Sequence, residues 1–167
     1  IRSKVKIFDL KVLVVGYGSI GKRHIKNLST IKNMKIIVNT KRSKDKFLKN
    51  ANCVTNSSLE LCINEKPDFA IICNETAYHV NTAIKLAKAG IHIFIEKPIS
   101  NSLKNIKTLQ NISDKNKIIT HIGSVLHFHP CIKKVKEIIV KKELGRILSV
   151  NVENGSYLPD WHPGENY

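Results

Sequence analysis

The chain has 167 residues, which suffices for one well-buried domain but not for two full-sized ones. Hydrophobic residues make up 42% and charged residues 25% of it, as in ordinary globular proteins. No apolar run approaches the roughly 20 residues of a membrane-spanning helix, and residues 1–10 lack the apolar core of a secretory signal. We therefore expect a protein without a membrane partner and exclude a complete two-domain enzyme.

The formal net charge is +15, from 28 basic and 13 acidic residues. Such a charge suits proteins that bind nucleic acid or polyanionic ligands. Only four of the basic residues are Arg, however, the side chain that reads bases and phosphates with paired hydrogen bonds. The lysines are spread along the chain, so we interpret them as a solvated surface and predict no nucleic-acid partner.

The four cysteines have no C-x-x-C spacing, and three of them fall in apolar runs: they are Cys53, Cys62, Cys73 and Cys131. This usage is typical of small buried side chains in a reducing compartment. We therefore expect a cytoplasmic location and no disulfides.

From Lys11 onward, short apolar runs alternate with segments of helical periodicity. The runs predict six strands, at residues 11–15, 34–40, 52–55, 69–73, 91–95 and 117–122. Ser57 or Ser58 is predicted to cap the helix before the fourth strand. Strands that alternate with helices need crossover connections, which indicates an α/β fold with a doubly wound, mostly parallel sheet.

The segment after the fifth predicted strand carries another helical pattern. Leu103, Ile106 and Leu109 would form its apolar face, and Ser100 or Ser102 would cap its N-terminus.

The pattern changes after residue 122. Pro130 is predicted to open a helix, and residues 147–153 alternate apolar and polar side chains, which predicts a half-exposed antiparallel strand. We assign residues 1–122 to one domain and residues 123–167 to the incomplete start of an α+β domain.

The first predicted strand ends at a glycine-rich sequence that opens the next helix, Gly16-Tyr17-Gly18-Ser19-Ile20-Gly21. A G-x-G-x-x-G sequence between a strand and a helix is typical of dinucleotide binding. We expect Gly16 to permit the tight turn and Gly18 to let the main chain approach a pyrophosphate. Gly21 would let helix and strand pack closely, and the helix N-terminus would supply amide donors.

The residues after the second strand indicate which dinucleotide is bound. An acidic residue there binds both ribose hydroxyls, whereas basic and hydroxyl side chains accept a 2′-phosphate. The chain has Thr40, Lys41, Arg42 and Ser43, with no acid before Asp45. We therefore predict NADP in preference to NAD, with Arg42 facing the phosphate and the other three residues assisting.

These ordered motifs resemble the Gfo/Idh/MocA family of NAD(P)-dependent sugar and polyol oxidoreductases. The resemblance covers nearly the whole chain from Lys11 and rests on the glycine loop through His24, on Glu96-Lys97-Pro98, on Phe128-His129-Pro130, on Leu144-Gly145-Arg146 and on the segment 157–161. It implies a Rossmann domain at residues 1–122 and hydride transfer between nicotinamide and a carbinol of a sugar, a sugar derivative or a nucleotide-linked sugar.

In that family the lysine of the Glu-Lys-Pro motif stands beside the nicotinamide and the reacting carbinol, which implies that Lys97 is catalytic. Hydride transfer from a secondary alcohol requires that the hydroxyl proton be removed or held, and a partly desolvated lysine suits that task. The resemblance further implies that Glu96 orients Lys97 or cofactor hydroxyls. The Lys97-Pro98 bond is often cis in the family.

The loop after the fourth strand resembles the family segment that lies against the cofactor, which implies contacts from Cys73 and Asn74. His79 has two open interpretations, as a catalytic residue or as packing at a helix N-terminus. Glu75 stands where the family has a small uncharged residue, so its carboxylate must point away from a pyrophosphate. His24 is interpreted as structural.

A metal site at His121, His127 and His129 is conceivable, but no carboxylate or Cys completes it. An H-x-H pattern is more typical of packing or hydrogen bonding, and we predict no metal.

Family members continue into a large antiparallel sheet that covers the crevice and forms the oligomer interface. The resemblance therefore implies a homo-oligomeric full-length enzyme, while this chain alone would bind cofactor but turn over weakly or not at all. The alternative is a catalytically inactive Rossmann module that binds or senses NAD(P).

Overall fold

The structure is a computed structural model that describes residues 10–42, 44–155, 157 and 160. The chain divides into two compact units, Ile1–Ser124 and Val125–Tyr167.

The first unit is a parallel sheet flanked by helices. Its strands are β1 (Leu10–Val15), β2 (Met34–Asn39), β3 (Val54–Asn56), β4 (Phe69–Ile72), β5 (His92–Ile95) and β6 (Thr120–Ile122). Its helices are α1 (Ser19–Leu28), α2 (Lys46–Asn50), α3 (Leu59–Asn64), α4 (His79–Lys88) and α5 (Ile106–Lys115), with a short 3-10 helix at Thr76–Tyr78 before α4.

The six strands lie in the order β3-β2-β1-β4-β5-β6, and every neighbouring pair is parallel. The chain winds outward from β1 to β3 and then returns to β4, on the other side of β1. This confirms the predicted doubly wound α/β fold. The carboxyl ends of β1 and β4 lie at the point where the winding reverses, which in open α/β sheets is the mouth of the ligand crevice.

The core has one half on each face of the sheet. In β1, Leu13 and Val15 pack into the cluster that includes α4 and α5, whereas Val12 and Val14 pack into the cluster that includes α1. All four side chains are at most 3% exposed. A strand that is covered on both faces has no side in contact with water, which explains why β1 is a continuous apolar run.

Two short helices depend on side-chain caps. Ser58, rather than Ser57, caps α3, because its side-chain oxygen accepts a hydrogen bond from the Leu61 amide at 3.3 Å. Helix α2 was not predicted, since five residues are too few to show a helical period. Its cap is Asp45, whose Oδ1 accepts the Phe47 amide at 2.8 Å.

Helix α5 begins later than predicted, so neither Ser100 nor Ser102 caps it. Asn105 occupies the cap position with φ 64°, in the left-handed region, and thereby interrupts the right-handed helical conformation. Leu103 precedes the helix and is 91% exposed, so its predicted place on the apolar face is wrong.

The second unit contains a 3-10 helix at Val125–Phe128 and helix α6 at Pro130–Val140. The prediction that Pro130 opens a helix is confirmed, and the His129 ring caps it by accepting the Cys131 amide at 3.2 Å. The predicted strand at residues 147–153 is wrong, because this segment is irregular and Leu148 is 84% exposed. Alternation alone does not form a strand, since its main chain needs a partner strand for hydrogen bonding.

The cysteines are free thiols. Cys62 and Cys73 are buried and Cys53 is half-buried, and burial raises the pKa of all three. Cys131 is exposed, so the expectation of a buried side chain is wrong there. It lies on α6, which buries none of its residues.

Two further properties concern the described ranges alone. Within them, no three His, Cys, Asp or Glu side chains cluster closely enough to hold a metal ion. Nor does any helix there combine the length and apolar character needed to cross a membrane.

Leu13 and Leu103 provide a matched test of this core. We expect Leu13→Ala to lower the free energy of unfolding by about 3 kcal/mol, because it removes a fully buried side chain from β1. Leu103→Ala should change it by less than about 0.5 kcal/mol, as for an exposed position. Urea unfolding followed by circular dichroism measures both, and equal losses would contradict the core described here.

Candidate functional site

Three segments of chemical interest meet at one edge of the sheet. The glycine loop follows β1, the loop that begins at Cys73 follows β4, and the Glu96-Lys97-Pro98 turn follows β5. Ladder hydrogen bonds extend past the strand ends, from the Cys73 amide to the Val15 carbonyl at 2.8 Å and from the Glu96 amide to the Ile72 carbonyl at 3.0 Å. Because β4 lies between β1 and β5, the glycine loop and the lysine turn flank the same crevice.

Gly16 and Gly21 are required by the packing of the loop itself. Gly16 has φ +99°, and a Cβ there would lie 2.6 Å from the Asn74 amide nitrogen. A Cβ on Gly21 would collide with the Gly16 carbonyl oxygen. Only glycine lets the β1 loop, the Asn74 loop and helix α1 approach so closely.

Gly18 has no such internal reason to be glycine. Its φ of −83° and ψ of −165° suit any residue, and a Cβ there would meet no described atom within 4 Å. It lies at the N-cap of α1, where no described side chain caps the helix and the first turn carries no acidic residue. The space beside Gly18 is therefore open, and the main-chain amides and dipole of a helix N-terminus favour an anion.

The Tyr17 side chain turns into the core. It is 6% exposed, its ring lies 6.4 Å from that of Phe47, and the Lys22 ammonium lies 4.9 Å from the ring centroid. Burial, together with the nearby Asp45 carboxylate, raises the pKa of Tyr17 to about 12. Within the loop, Tyr17 therefore offers a cofactor only its main chain.

A groove of about 450 Å³ opens beyond the ends of β2 and β3, lined by Thr40, Lys41, Thr55, Asn56 and Ser57. Thr55 and Asn56 end β3 and Ser57 follows it, as Thr40 follows β2, a signal that the sequence interpretation did not use.

The basic segment beside this groove is open to solvent. Lys41 and Arg42 are exposed, and the Thr40 hydroxyl accepts the Arg42 amide at 3.1 Å. Asp45, the nearest acid along the chain, is occupied as the cap of α2 and lies 3.9 Å from Lys22. Ser43 lies outside the described residues.

Asn74 combines a tight main-chain contact with an unsatisfied side-chain oxygen. Its amide group donates to the Thr82 hydroxyl at 3.2 Å, but its buried Oδ1 has no partner among the described residues. The neighbouring Cys73 side chain lies in the core, where burial and the Glu96 charge raise the thiol pKa to about 12. Glu75 is exposed.

His79 connects two of the three segments. The ring is 2% exposed, with Nδ1 3.0 Å from the Pro98 carbonyl oxygen and Nε2 2.8 Å from the Asn74 carbonyl oxygen. A carbonyl only accepts, so a neutral ring donates to one of the two at a time and a protonated ring donates to both. With both nitrogens at main-chain oxygens, the geometry favours packing and positioning over direct contact with a substrate.

Lys97 and Glu96 have opposite environments at the end of β5. Lys97 is exposed and precedes a cis peptide bond to Pro98, whereas Glu96 is 9% exposed. The Glu96 Oε1 lies 2.7 Å from the His24 Nε2, and its Oε2 accepts the Lys97 amide at 3.3 Å. Within the described part of the chain, no carboxylate forms an ion pair with the Lys97 ammonium.

The arrangement combines two chemical capacities in one crevice. The N-terminus of α1 can bind an anion through main-chain amides. Lys97 follows β5, on the other side of β4 from the glycine loop, and its exposed amine can hold or exchange a proton there. This is the pairing that a dinucleotide-dependent acid/base reaction requires.

Comparison with known proteins agrees with this fold. Residues 10–124 match the family model GFO_IDH_MocA, described as an oxidoreductase family with an NAD-binding Rossmann fold. An uncharacterized oxidoreductase of Bacillus subtilis (strain 168), YrbE, is 32% identical over 137 residues, which cover 79% of this chain and 40% of the relative.

A myo-inositol 2-dehydrogenase of Thermotoga maritima is 27% identical over 142 residues, which cover 82% of this chain and 42% of the relative. A crystal structure of scyllo-inositol dehydrogenase from Lactobacillus casei, with bound NAD(H) and scyllo-inositol, has a TM-score of 0.72 at 21% identity, over 83% of this chain and 43% of that one. The chain thus spans about two fifths of the length of these relatives. The family match over residues 10–124 confirms the resemblance, and the chain belongs to the Gfo/Idh/MocA family of oxidoreductases.

Proposed function

We propose that this chain is the cofactor-binding portion of a dehydrogenase that moves a hydride between nicotinamide and a carbinol. The substrate would be a sugar, a sugar derivative or a nucleotide-linked sugar, in line with the inositol dehydrogenases among its relatives. The observation that carries the proposal is the shared crevice: the glycine loop and Lys97 lie at the carboxyl ends of strands on either side of β4. The proposed full-length enzyme is a homo-oligomer.

The dinucleotide, when bound, would supply the hydride chemistry. In the proposed mechanism the amides of Ser19, Ile20 and Gly21, at the start of α1, bind its diphosphate. Lys97 holds or removes the proton at the carbinol oxygen, because an exposed amine that pairs with none of the described carboxylates is available to a substrate. His79 is a positioning residue, since its ring joins the Asn74 and Pro98 carbonyls.

For the cofactor, we propose NADP rather than NAD. Lys41 lines the groove beyond β2, and the exposed Arg42 follows it in the chain. Asp45, the nearest acid in sequence, is engaged as the cap of α2, which leaves it unable to oppose a 2′-phosphate. Arginine and lysine are the side chains that bind phosphate most strongly. In this proposal Arg42 faces the 2′-phosphate, and Thr40, Lys41 and Ser43 assist it.

Gly18→Ala tests the pyrophosphate site. We expect it to weaken NADPH binding at least about tenfold, because the new methyl group would occupy the cradle, while the melting temperature stays the same. Gly16→Ala is the matched control: it should lower the melting temperature, since its Cβ would clash with Asn74. Calorimetric titration and thermal unfolding measure both effects, and unchanged NADPH affinity in Gly18→Ala would contradict the site.

Arg42→Ala tests the cofactor preference. In the wild-type chain we expect NADPH to bind at least about tenfold more tightly than NADH, a difference of about 1.4 kcal/mol. The substitution should remove most of that difference, because the 2′-phosphate loses its cationic partner, and should leave NADH binding unchanged. Arg146→Ala, an exposed arginine in the second unit, is the control. Tighter binding of NADH by wild type would refute the assignment of Arg42.

Lys97→Met tests the acid/base role in the full-length protein. Reduction of NADP⁺ or NAD⁺ is first measured with myo-inositol, scyllo-inositol and UDP-N-acetylglucosamine. With a substrate so identified, we expect kcat to fall about 10²- to 10⁴-fold in Lys97→Met, because proton transfer at the carbinol is lost. Lys104→Met, another exposed lysine, should retain activity. Bound NADPH without turnover of any carbinol would instead support a non-catalytic binding module.

A further inference from the structure

We propose that His24 is a positioning residue that keeps the Glu96 carboxylate away from the Lys97 ammonium. The relevance to catalysis rests on the proposed function, which gives Lys97 its part in the reaction. The contacts that carry the inference lie entirely within the described chain.

Glu96 is a buried carboxylate that needs partners. Its residue is 9% exposed, and its amide is held by the Ile72 carbonyl at 3.0 Å as an extension of β5. A carboxylate removed from water is costly unless hydrogen bonds or charges compensate for the lost hydration. The side chain must therefore turn to whichever donors lie within reach.

His24 supplies the shortest of these contacts. Its Nε2 lies 2.7 Å from the Glu96 Oε1, and because an ionised carboxylate only accepts, Nε2 carries the hydrogen. The second oxygen, Oε2, lies 3.3 Å from the Lys97 main-chain nitrogen. The carboxylate thus rests over the Lys97 main chain, where the four-carbon side chain of Lys97 is long enough to fold back onto it.

The surroundings hold this geometry on both sides. The His24 ring packs edge-on against Phe94 with centroids 5.7 Å apart, and His121 stacks on the same Phe94 at 5.5 Å. A Cβ on Gly123 would lie 3.1 Å from both the Glu96 Oε2 and the Phe94 ring, so the carboxylate is closely confined. The Cys73 thiol, which also faces Glu96, stays neutral because its pKa is about 12.

The consequence of losing His24 follows from this confinement. The freed Oε1 would lose its His24 donor in a buried place, and the ammonium of the adjacent Lys97 is a cation that can turn to it. An ion pair there would draw the amine out of the crevice and make it less reactive. By holding the Glu96 carboxylate in a hydrogen bond, His24 leaves the Lys97 amine available to a substrate.

Competitive acetylation of lysines tests this inference without cofactor or substrate. The chain is labelled with a trace of acetic anhydride at pH 9, and mass spectrometry compares Lys97 with Lys104, an exposed reference lysine. In His24→Leu we expect the relative reactivity of Lys97 to fall at least about two- to fivefold, because a pair between the exposed Lys97 and the buried Glu96 should be no weaker than a surface ion pair. In His24→Gln, whose amide can still donate to Glu96, it should remain at the wild-type value.

The double variant His24→Leu/Glu96→Gln is the decisive control, because a neutral amide at residue 96 cannot form the ion pair. We expect it to restore the reactivity of Lys97. Should His24→Leu fail to fold, His24→Asn, too short to reach the carboxylate, replaces it. Unchanged reactivity without His24, or no recovery in the double variant, would overturn the inference. Failure of the proposed function would appear separately, as absence of NADPH binding by wild type.

Discussion

The candidate site depends on close main-chain packing where the loops after β1 and β4 meet. Gly16 lies so near Asn74 that no Cβ fits between them, and Gly21 lies equally close to Gly16. This packing brings the N-terminus of α1 to the mouth of the crevice, and the first amides of a helix have no acceptor within the helix itself. Gly18 then extends over open space, which is what a bound diphosphate would need.

The same edge of the sheet concentrates buried polar groups. His79, Glu96 and Asn74 all place polar atoms out of water here, and most of them pair with main-chain or side-chain groups. Buried polar groups that are paired limit the conformations of the loops that carry them. The result is an exposed Lys97 on a turn that is held from two sides, by His79 at Pro98 and by Glu96 at the Lys97 amide.

Much of this could be predicted from the sequence, because the relevant signals are local. Glycines between a strand and a helix require a specific turn, and apolar runs such as β1 require cover on both faces. The errors have a common cause. Residues 147–153 alternate like a strand but pair with no strand in the part of the chain that the structure describes. Leu103 has the right spacing for α5 but lies before Asn105, where the left-handed conformation interrupts the helix. Periodicity indicates which side chains would share a face of a helix or strand, but it does not show whether the helix or strand forms or what packs against it.

The sequence alone determined the order of the six parallel strands along the chain, the glycine loop and the family resemblance, since each follows from residue types at short spacing. Only the tertiary structure decided which side chains of the site meet. His24 and Glu96 are 72 positions apart, and His79 bonds to residues on two different loops. Such contacts depend on how parallel strands are ordered in the sheet, which is set by long-range packing that no local pattern encodes.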